Sequence, residues 1–510
     1  MVLNVLSRIE SLRSRNAKNA NAINNDLVRV LCSKDLLTIS YTKIKSKSGS
    51  INFGKDGERL DWFPEDLINE IIFQLKDNSF QFEPVRTEPI FKGNDRIRLL
   101  EVSSLRDKVV QQSMLFILEA IYEPTFSDYS YGFREGYTCR TVLKKLRYSW
   151  AGVKWIIKGD IKGCYDNADH HILINILKKK INDEIFIGLL WKLLRSGTVI
   201  NGKSVYSFSG TPEGEILSPL FVNIYLNNLD NFVQKVITEH NFIKSVRRTL
   251  EYDSIQSKIC RCITLKEHNR ASSTKFSKEK PLQSIKLKKM KKSTPSKEIT
   301  DLLYKQVLFI RYADDWIIGV SGPHSLALNI EKKIEEFLAE ELKLTLSQGK
   351  TEVICSSKGN IKYLGWYLQN VYNPTTNKKL GGWKLRTFLP IKLIIHKLAE
   401  QNFCTKLGRA QRKKGWILYP DNIIIEKYNY ILREIRNYYA PTVSFEKCMD
   451  RIEFILKYSC AHTLANKHRT RISNQLSILP EIRLDIKVKT KNYIWEFNPK
   501  ARVTNEDFTV

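Results

Sequence analysis

The stretch LFIRYADDWIIGV, residues 308–320, sets Asp314 and Asp315 side by side between two apolar, β-favouring runs. A tight hairpin normally turns on Asn-Gly or Asp-Gly, yet no glycine follows until Gly319. Two carboxylates held that close repel each other unless a cation stands between them. Mg²⁺ suits such a place because it prefers hard oxygen ligands and keeps positions for water and phosphate oxygens. A polar turn between two core strands would use the same residues, so the pair decides nothing alone. The chemistry needs a third carboxylate from another strand end, and Asp160 is the candidate: it closes an apolar run at Gly159, and DIKGCYD then turns into a helix. Two divalent ions roughly 3.5–4 Å apart can activate an attacking 3′ hydroxyl and stabilise a leaving pyrophosphate. One strand-end aspartate and an Asp-Asp hairpin are the minimal set for template-directed nucleotidyl transfer.

Those side chains need a sheet to hold them. KWIIKGDIKGCYD, residues 154–166, reads as a strand with Lys154, Ile156, Lys158 and Asp160 on one face, followed by the apolar-periodic helix HHILINILKKKI. Residues 1–90 mix helices, among them PEDLINEIIFQLKDN with its opening Pro64 and two acids, with the turn-rich KSKSGSINFGKDGERLDW. Residues 91–150 read as mainly helical after a short basic segment. Residues 241–300 carry 16 Lys/Arg and 5 Asp/Glu with little periodicity, which reads as a flexible basic insertion or, with equal weight, a solvated loop without a partner. Residues 381–480 carry 18 Lys/Arg and 7 Asp/Glu, now with helical periodicity and aromatics as in EKYNYILREIRNYYA. Charge carried on folded helices favours a shaped nucleic-acid surface.

The 510 residues suggest roughly three domain-sized units. Lys and Arg number 83 against 54 Asp and Glu, a formal net charge of +29 that suits a polyanionic partner. No apolar run approaches the roughly 18 residues of a bilayer span, so membrane insertion is set aside. Nine cysteines without a CxxC pair argue against a disulfide framework or a zinc ribbon and for a reducing compartment. MVLNVLSRIESLRSRNAKNA superficially fits a mitochondrial transit peptide. The main reading is different: the Lys, Ile and Asn bias of the whole chain resembles the coding habit of AT-rich organelle genomes, whose products need no import signal.

Taken together, the motifs resemble group II intron-encoded reverse transcriptase/maturases. YADD at 312–315 matches that family's catalytic hairpin, and DIKGCYDNADH at 160–170 its first catalytic block. SYGFREGYTCRTVL, 130–143, is similar to its SYGFRPG block, and GTPEGEILSPLFVNIYLNNLD, 210–230, to its GTPQGG block. LTLSQGKTEVI and IKYLGWYL fit the two blocks after the hairpin, and YSCAHTLANKHRT, 458–470, the thumb signature called domain X. The blocks keep the family's order from about residue 25 to 480.

The resemblance implies an α+β right-hand polymerase: fingers and palm with a small antiparallel sheet, followed by a helical thumb/maturase domain. The expected divisions are 1–90 for the N-terminal extension and start of the fingers, 91–375 for fingers and palm with the insertion 241–300, 376–480 for domain X, and 481–510 for a tail. Asp160, Asp314 and Asp315 would be catalytic and hold two Mg²⁺ ions, with Mn²⁺ able to substitute. Tyr165 resembles the aromatic that excludes a 2′ hydroxyl, Lys92 and Arg98 the fingers residues on the incoming triphosphate, and Lys350 a donor to the leaving pyrophosphate. Arg409, Arg412, Lys413 and Lys414, in LGRAQRKKG, would contact RNA phosphates. The chain departs from the pattern at Glu213, where the family has Gln, and at Glu215, where it has a small residue; an ionised glutamate accepts but cannot donate, and it repels phosphate. Implied partners are a host group II intron RNA, an RNA template with a DNA primer, and dNTPs. The function implied is a maturase and RNA-dependent DNA polymerase in intron mobility, with a splicing-only RNA-binding protein as the alternative. Only about thirty residues follow LSILPE, without paired cysteines, so an HNH endonuclease is not expected and a primer would come from elsewhere. An organelle is the implied location, a mitochondrion before a plastid.

Overall fold

Strands form where β-branched and aromatic residues run between turn residues: β1 (Val85–Lys92), β2 (Arg96–Val102), β3 (Trp155–Asp160), β4 (Thr198–Ile200), β5 (Lys203–Val205), β6 (Gln306–Tyr312), β7 (Asp315–Ser321), β8 (Glu352–Cys355), β9 (Ile361–Tyr363), β10 (Trp366–Tyr372) and β11 (Trp383–Phe388). The structure is a computed structural model describing residues 2–46, 65–92, 96–200, 203–205, 209–211, 214–241, 250–271, 286–287, 290, 305–347, 349–372, 383–439 and 445–478.

The central sheet has the order β6-β7-β3-β8, antiparallel throughout. β7 is apolar from Trp316 to Val320 and buried along that whole length, as expected of an inner strand covered on both faces. β3 keeps some alternation, with Ile156 and Ile157 buried and Lys158 and Asp160 half-buried. The indole of Trp316 lies across Gly159, its ladder partner; a Cβ at Gly159 would stand 2.0 Å from that ring. Helices Ser218–His240 and His324–Leu342 supply apolar stripes to the core, the latter through Leu326, Ala327, Ile330, Ile334, Leu338 and Leu342 at helical spacing. Helix Leu105–Tyr122 is buried almost all round and opens on Ser104, whose side chain accepts from the Asp107 amide.

A second sheet, β2-β1-β4-β5, carries the β1–β2 hairpin, and a third has the order β11-β10-β9. The amino-terminal segment that mimics a transit peptide forms helix Val2–Lys18 and contributes Val5 and Ile9 to the core. Asn24 fastens the chain beyond that helix, exchanging backbone bonds with Lys180 and Asn182 at 2.8 and 2.9 Å.

The basic insertion corrects the expectation of an irregular loop in part. Residues Leu250–Ala271 are helical; no apolar stripe marks them, and Ile259 is the buried apolar side chain among those described there, so hydrophobic periodicity gave no sign of the helix. Residues 242–249, 272–285, 288–289 and 291–304 lie outside the described residues. The insertion's base is closed by one amide: Asn241 Nδ2 donates to the Val307 carbonyl at 3.1 Å, and the Val307 amide donates to Asn241 Oδ1 at 2.7 Å.

Contacts divide the chain into two units, Met1–Pro390 with Tyr439–Phe445, and Ile391–Tyr438 with Glu446–Val510. The first extends past residue 375 because β11 pairs with β10 from Tyr367↔Phe388 to Tyr372↔Trp383. The second is helical, with Ile391–Glu400, most of Asp421–Tyr439, most of Phe445–His468, and Ile472–Ile478. Its core includes Phe403, Trp416 and Tyr428 in mutual edge-to-face contact, with ring centroids 5.1–5.5 Å apart. The Tyr428 hydroxyl is tied to Ser459 and Thr463 at 2.9 and 3.0 Å.

Candidate active site

Asp160 and Asp315 are direct ladder partners across β3 and β7, and Tyr312 faces Asp315 across the β6–β7 hairpin. Ladder geometry holds the Cα atoms of such a pair about 5 Å apart. Asp314 occupies the two-residue turn beside Ala313, whose φ is 58°. The three acidic residues separated in sequence by some 150 positions therefore share one sheet end.

What fixes that end is Arg311, fully buried in the strand just before the motif. Each of its guanidinium N–H groups has an acceptor. Nε and Nη2 donate to the two Asp230 oxygens at 2.8 and 2.7 Å. Nη1 donates to Asn223 Oδ1 at 3.0 Å and to the Ala313 carbonyl at 2.8 Å, and Nη2 also to Ser130 Oγ at 2.8 Å. A buried guanidinium needs this complete set because each unsatisfied donor would carry its full desolvation cost. The segment Tyr129–Tyr131 runs along the outer edge of β6, with the Arg311 amide donating to the Tyr129 carbonyl and the Tyr131 amide to the Arg311 carbonyl at 2.8 and 2.9 Å. Gly132 then presses on the hairpin, where a Cβ would meet the Ala313 nitrogen at 2.3 Å, and its carbonyl accepts from Asn223 Nδ2 at 2.8 Å. Sequence reasoning passed over Arg311, Asp230 and Asn223. The available signal was a lone arginine inside the apolar strand VLFIRY.

Charge at this end is unbalanced. Burial pushes the Asp315 carboxyl up to about 6, and repulsion from Asp314 and Asp160 adds to it, against the pull of Lys158 and Lys350. Asp160 Oδ2 accepts from Lys350 Nζ at 2.6 Å and from Ser347 Oγ at 2.9 Å, while the Asp160 carbonyl accepts from the Ser347 amide at 2.8 Å. That hydrogen bond holds the Lys350 ammonium above its ordinary range. Lys350 thus stands on the Asp160 carboxylate. In this side-chain arrangement no group of three His, Cys, Asp or Glu among the described residues closes into a ready ligand cluster. The donor set nevertheless fits a hard divalent cation, since it is all carboxylate oxygen and a cationic group already occupies one of its members.

The block after β3 is built to meet the GTPEG segment. Gly163, at φ 51°, starts the short helix Cys164–Asn167 that carries Tyr165, half-buried against the core. The Gly210 amide donates to the Ala168 carbonyl at 2.8 Å and the Thr211 amide to the Tyr165 carbonyl at 2.6 Å. Asp169 caps helix His170–Lys178, accepting from the His171 and Ile172 amides, and pairs with Lys343 at 2.7 Å. Two motifs far apart in sequence are thereby joined at Tyr165. Glu213 lies outside the described residues. Glu215 is buried and bonded to Gln111, whose Oε1 also accepts from the Ile216 amide at 3.2 Å. Glu215 therefore fastens this segment to helix Leu105–Tyr122.

Lys92 ends β1 opposite Arg96, and Arg98 lies in β2 opposite Ile90, so both belong to the β1–β2 hairpin. In the helical unit the four basic residues separate. Arg409, Arg412 and Lys414 are exposed, with Arg412 Nη1 donating to Asn466 Oδ1 at 2.7 Å. Lys413 is tucked in: its ammonium donates to the Gln401 carbonyl and lies 4.7 Å from the Phe403 ring centre and 5.6 Å from that of Trp416. Burial lowers its pKa.

Residues 90–247 match the reverse transcriptase (RNA-dependent DNA polymerase) family, and residues 383–493 match the type II intron maturase family. The chain is 32% identical over 486 residues to the group II intron-encoded protein LtrA of Lactococcus lactis subsp. cremoris, covering 93% of this chain and 80% of that one. It is 33% identical to the putative COX1/OXI3 intron 2 protein of Saccharomyces cerevisiae, over 91% of this chain and 54% of the yeast protein. An uncharacterized 91 kDa protein in the cob intron of Schizosaccharomyces pombe is 31% identical over 98% of this chain and 61% of its own length. With both family matches in one chain and this identity to LtrA over most of both proteins, the chain belongs to the group II intron-encoded reverse transcriptase/maturase family.

Proposed function

We propose that this RNA-directed DNA polymerase and splicing maturase performs its copying chemistry with Asp160, Asp314 and Asp315. The observation that carries the reading is the Asp160↔Asp315 ladder pair with Asp314 at the adjoining turn, braced by Arg311. These carboxylates would hold two Mg²⁺ ions, with Mn²⁺ able to substitute, which when bound activate the 3′ hydroxyl and offset charge on the leaving pyrophosphate. Tyr165 closes the space a ribose 2′ hydroxyl would need, and Lys92 and Arg98 hold the triphosphate of the incoming dNTP. The Lys350 side chain, ion-paired to Asp160 and largely exposed, has the reach to donate to the departing pyrophosphate. Arg409, Arg412 and Lys414 give the helical unit contacts to host group II intron RNA, and the RNA fold supplies the splicing chemistry. Copying of that RNA from a DNA primer would serve intron mobility. A mitochondrial site is supported by the relatives from COX1 and cob introns.

Primer extension on an RNA template is the test. Asp160→Ala or Asp314→Ala should abolish it, whereas robust extension by either would remove these residues from the reaction. Tyr165→Ala should raise ribonucleotide incorporation, and an unchanged rNTP to dNTP ratio would return Tyr165 to a packing role. The double variant Asp314→Ala/Asp315→Ala should still bind intron RNA and support splicing; loss of splicing in a folded, RNA-bound variant would mean that the two activities share one site.

A further inference from the structure

Phe133 holds a backbone φ of 55°, a left-handed conformation that side chains other than Asn, Asp and Gly seldom adopt, and its side chain is 61% exposed. Packing does not explain this, since a ring that open to solvent gains little from burial. Everything around it is anchored. On one side Gly132 is wedged against the catalytic hairpin. On the other, Arg134 donates to Glu123 Oε1 at 2.7 Å and to the Ser127 and Ser130 carbonyls at 2.9 and 2.8 Å. Its guanidinium also lies over the rings of Phe126 and Tyr137. A rigid loop thus presents one strained, solvent-facing aromatic residue immediately beside the turn that carries Asp314. Strain held by its surroundings at such a place is a mark of function.

We propose that Phe133 is a binding residue that stacks on a nucleobase of the single-stranded template next to the primer terminus. Aromatic platforms accept any base, because every base has a π-face. A strongly basic chain that copies RNA brings such bases to this sheet end. The incoming nucleotide is the poorer occupant. Asp160 ends β3 and Tyr165 follows it on the next short helix, whereas the chain leading into Phe133, residues 129–131, lines the far edge of β6, three strand spacings or roughly 14 Å from β3. This inference rests on the polymerase reading and adds to it a contact with the template strand.

Two variants test it. Phe133→Asn removes the ring and places at this φ a residue that tolerates it, and Phe133→Trp keeps a ring. Each is bound to a DNA primer on an RNA template whose overhang bases are replaced, one at a time, by an abasic unit. Phe133→Asn should melt at or above the wild-type midpoint, bind the primer–template about 5- to 100-fold more weakly, and leave the KM for dNTP unchanged. At one overhang position the abasic unit should weaken the wild type and Phe133→Trp but not Phe133→Asn. Wild-type affinity in Phe133→Asn, an effect confined to the dNTP KM, or a lower melting midpoint with the abasic sensitivity retained would each overturn the proposal. Primer extension by the unaltered chain reports on the polymerase reading separately: extension with a silent overhang scan removes the stacking role alone.

Discussion

Arg311 is a charge whose burial is tolerable only because Asp230 is buried with it. Truncating one member of such a pair strands the other, at a cost of about 3–5 kcal/mol. Asp230→Ala should lower the unfolding free energy by about that amount in urea titration; a loss under about 1 kcal/mol would mean that water reaches the guanidinium. At this scale the sequence was informative about residues whose types could react and silent about residues that hold them. Asp160, Asp314 and Asp315 stood out because carboxylates at strand ends suggest chemistry, and Tyr165 through its place in a family motif. Arg311 and Asn223 look like ordinary polar interruptions, since the meaning of each lies in partners 80–90 positions away. Lys350 shows the converse: its basic character was legible, but its seat on Asp160 depends on the Ser347 turn, which no local pattern announces.

The elements that carry the site were legible wherever one period dominated. β3, β7 and the helices Glu65–Lys76 and His170–Lys178 follow their hydrophobic patterns, while Leu250–Ala271 has no stripe to follow. Less visible was the docking of residues 214–217 on helix Leu105–Tyr122. Burial raises the Glu215 carboxyl to about 7, against hydrogen bonds from Gln111 and Ser103 and the pull of Lys108, and with added repulsion from Asp107. A carboxyl whose folded pKa exceeds its unfolded value holds its proton more tightly in the native state. The stability it lends is complete below about pH 4.5 and is lost as pH rises through about 7, on the order of 3 kcal/mol. Asp107, raised to about 6 by burial, acts in the same direction. Glu215→Gln should therefore flatten much of the wild type's decline in unfolding free energy between pH 4.5 and 7. If wild type and variant run parallel across that range, Glu215 does not bind the proton.

At the scale of the whole molecule the +29 charge pointed to a polyanion, and the two units show that charge need not mean contact. Arg409, Arg412 and Lys414 are available to phosphates, whereas Lys413 is spent on Phe403, Trp416 and Gln401. Neutralising the exposed three should reduce the slope of log K against log salt for intron RNA by roughly 2–3, at about 0.7–0.9 per contact. Lys413→Ala should instead lower the melting temperature and leave the slope nearly unchanged. A drop in slope on changing Lys413 alone would show that it leaves its rings to meet RNA. Composition could not separate the four, because neighbours of one charge differ only in what folds over them.

The clasp between Asn241 and Val307 has a consequence for how this gene can vary. The base of the intervening chain is pinned to the palm by an amide that behaves like one rung of a ladder. Doubling the length of a flexible loop closed in this way costs only about 0.6 kcal/mol of closure entropy. A change of chain length outside helix Leu250–Ala271, which buries Ile259, should therefore cost folding little as long as the Asn241–Val307 pair holds. The same property makes this the place to graft a fluorescent protein or an affinity module, with the carboxylate hairpin a few residues downstream left undisturbed.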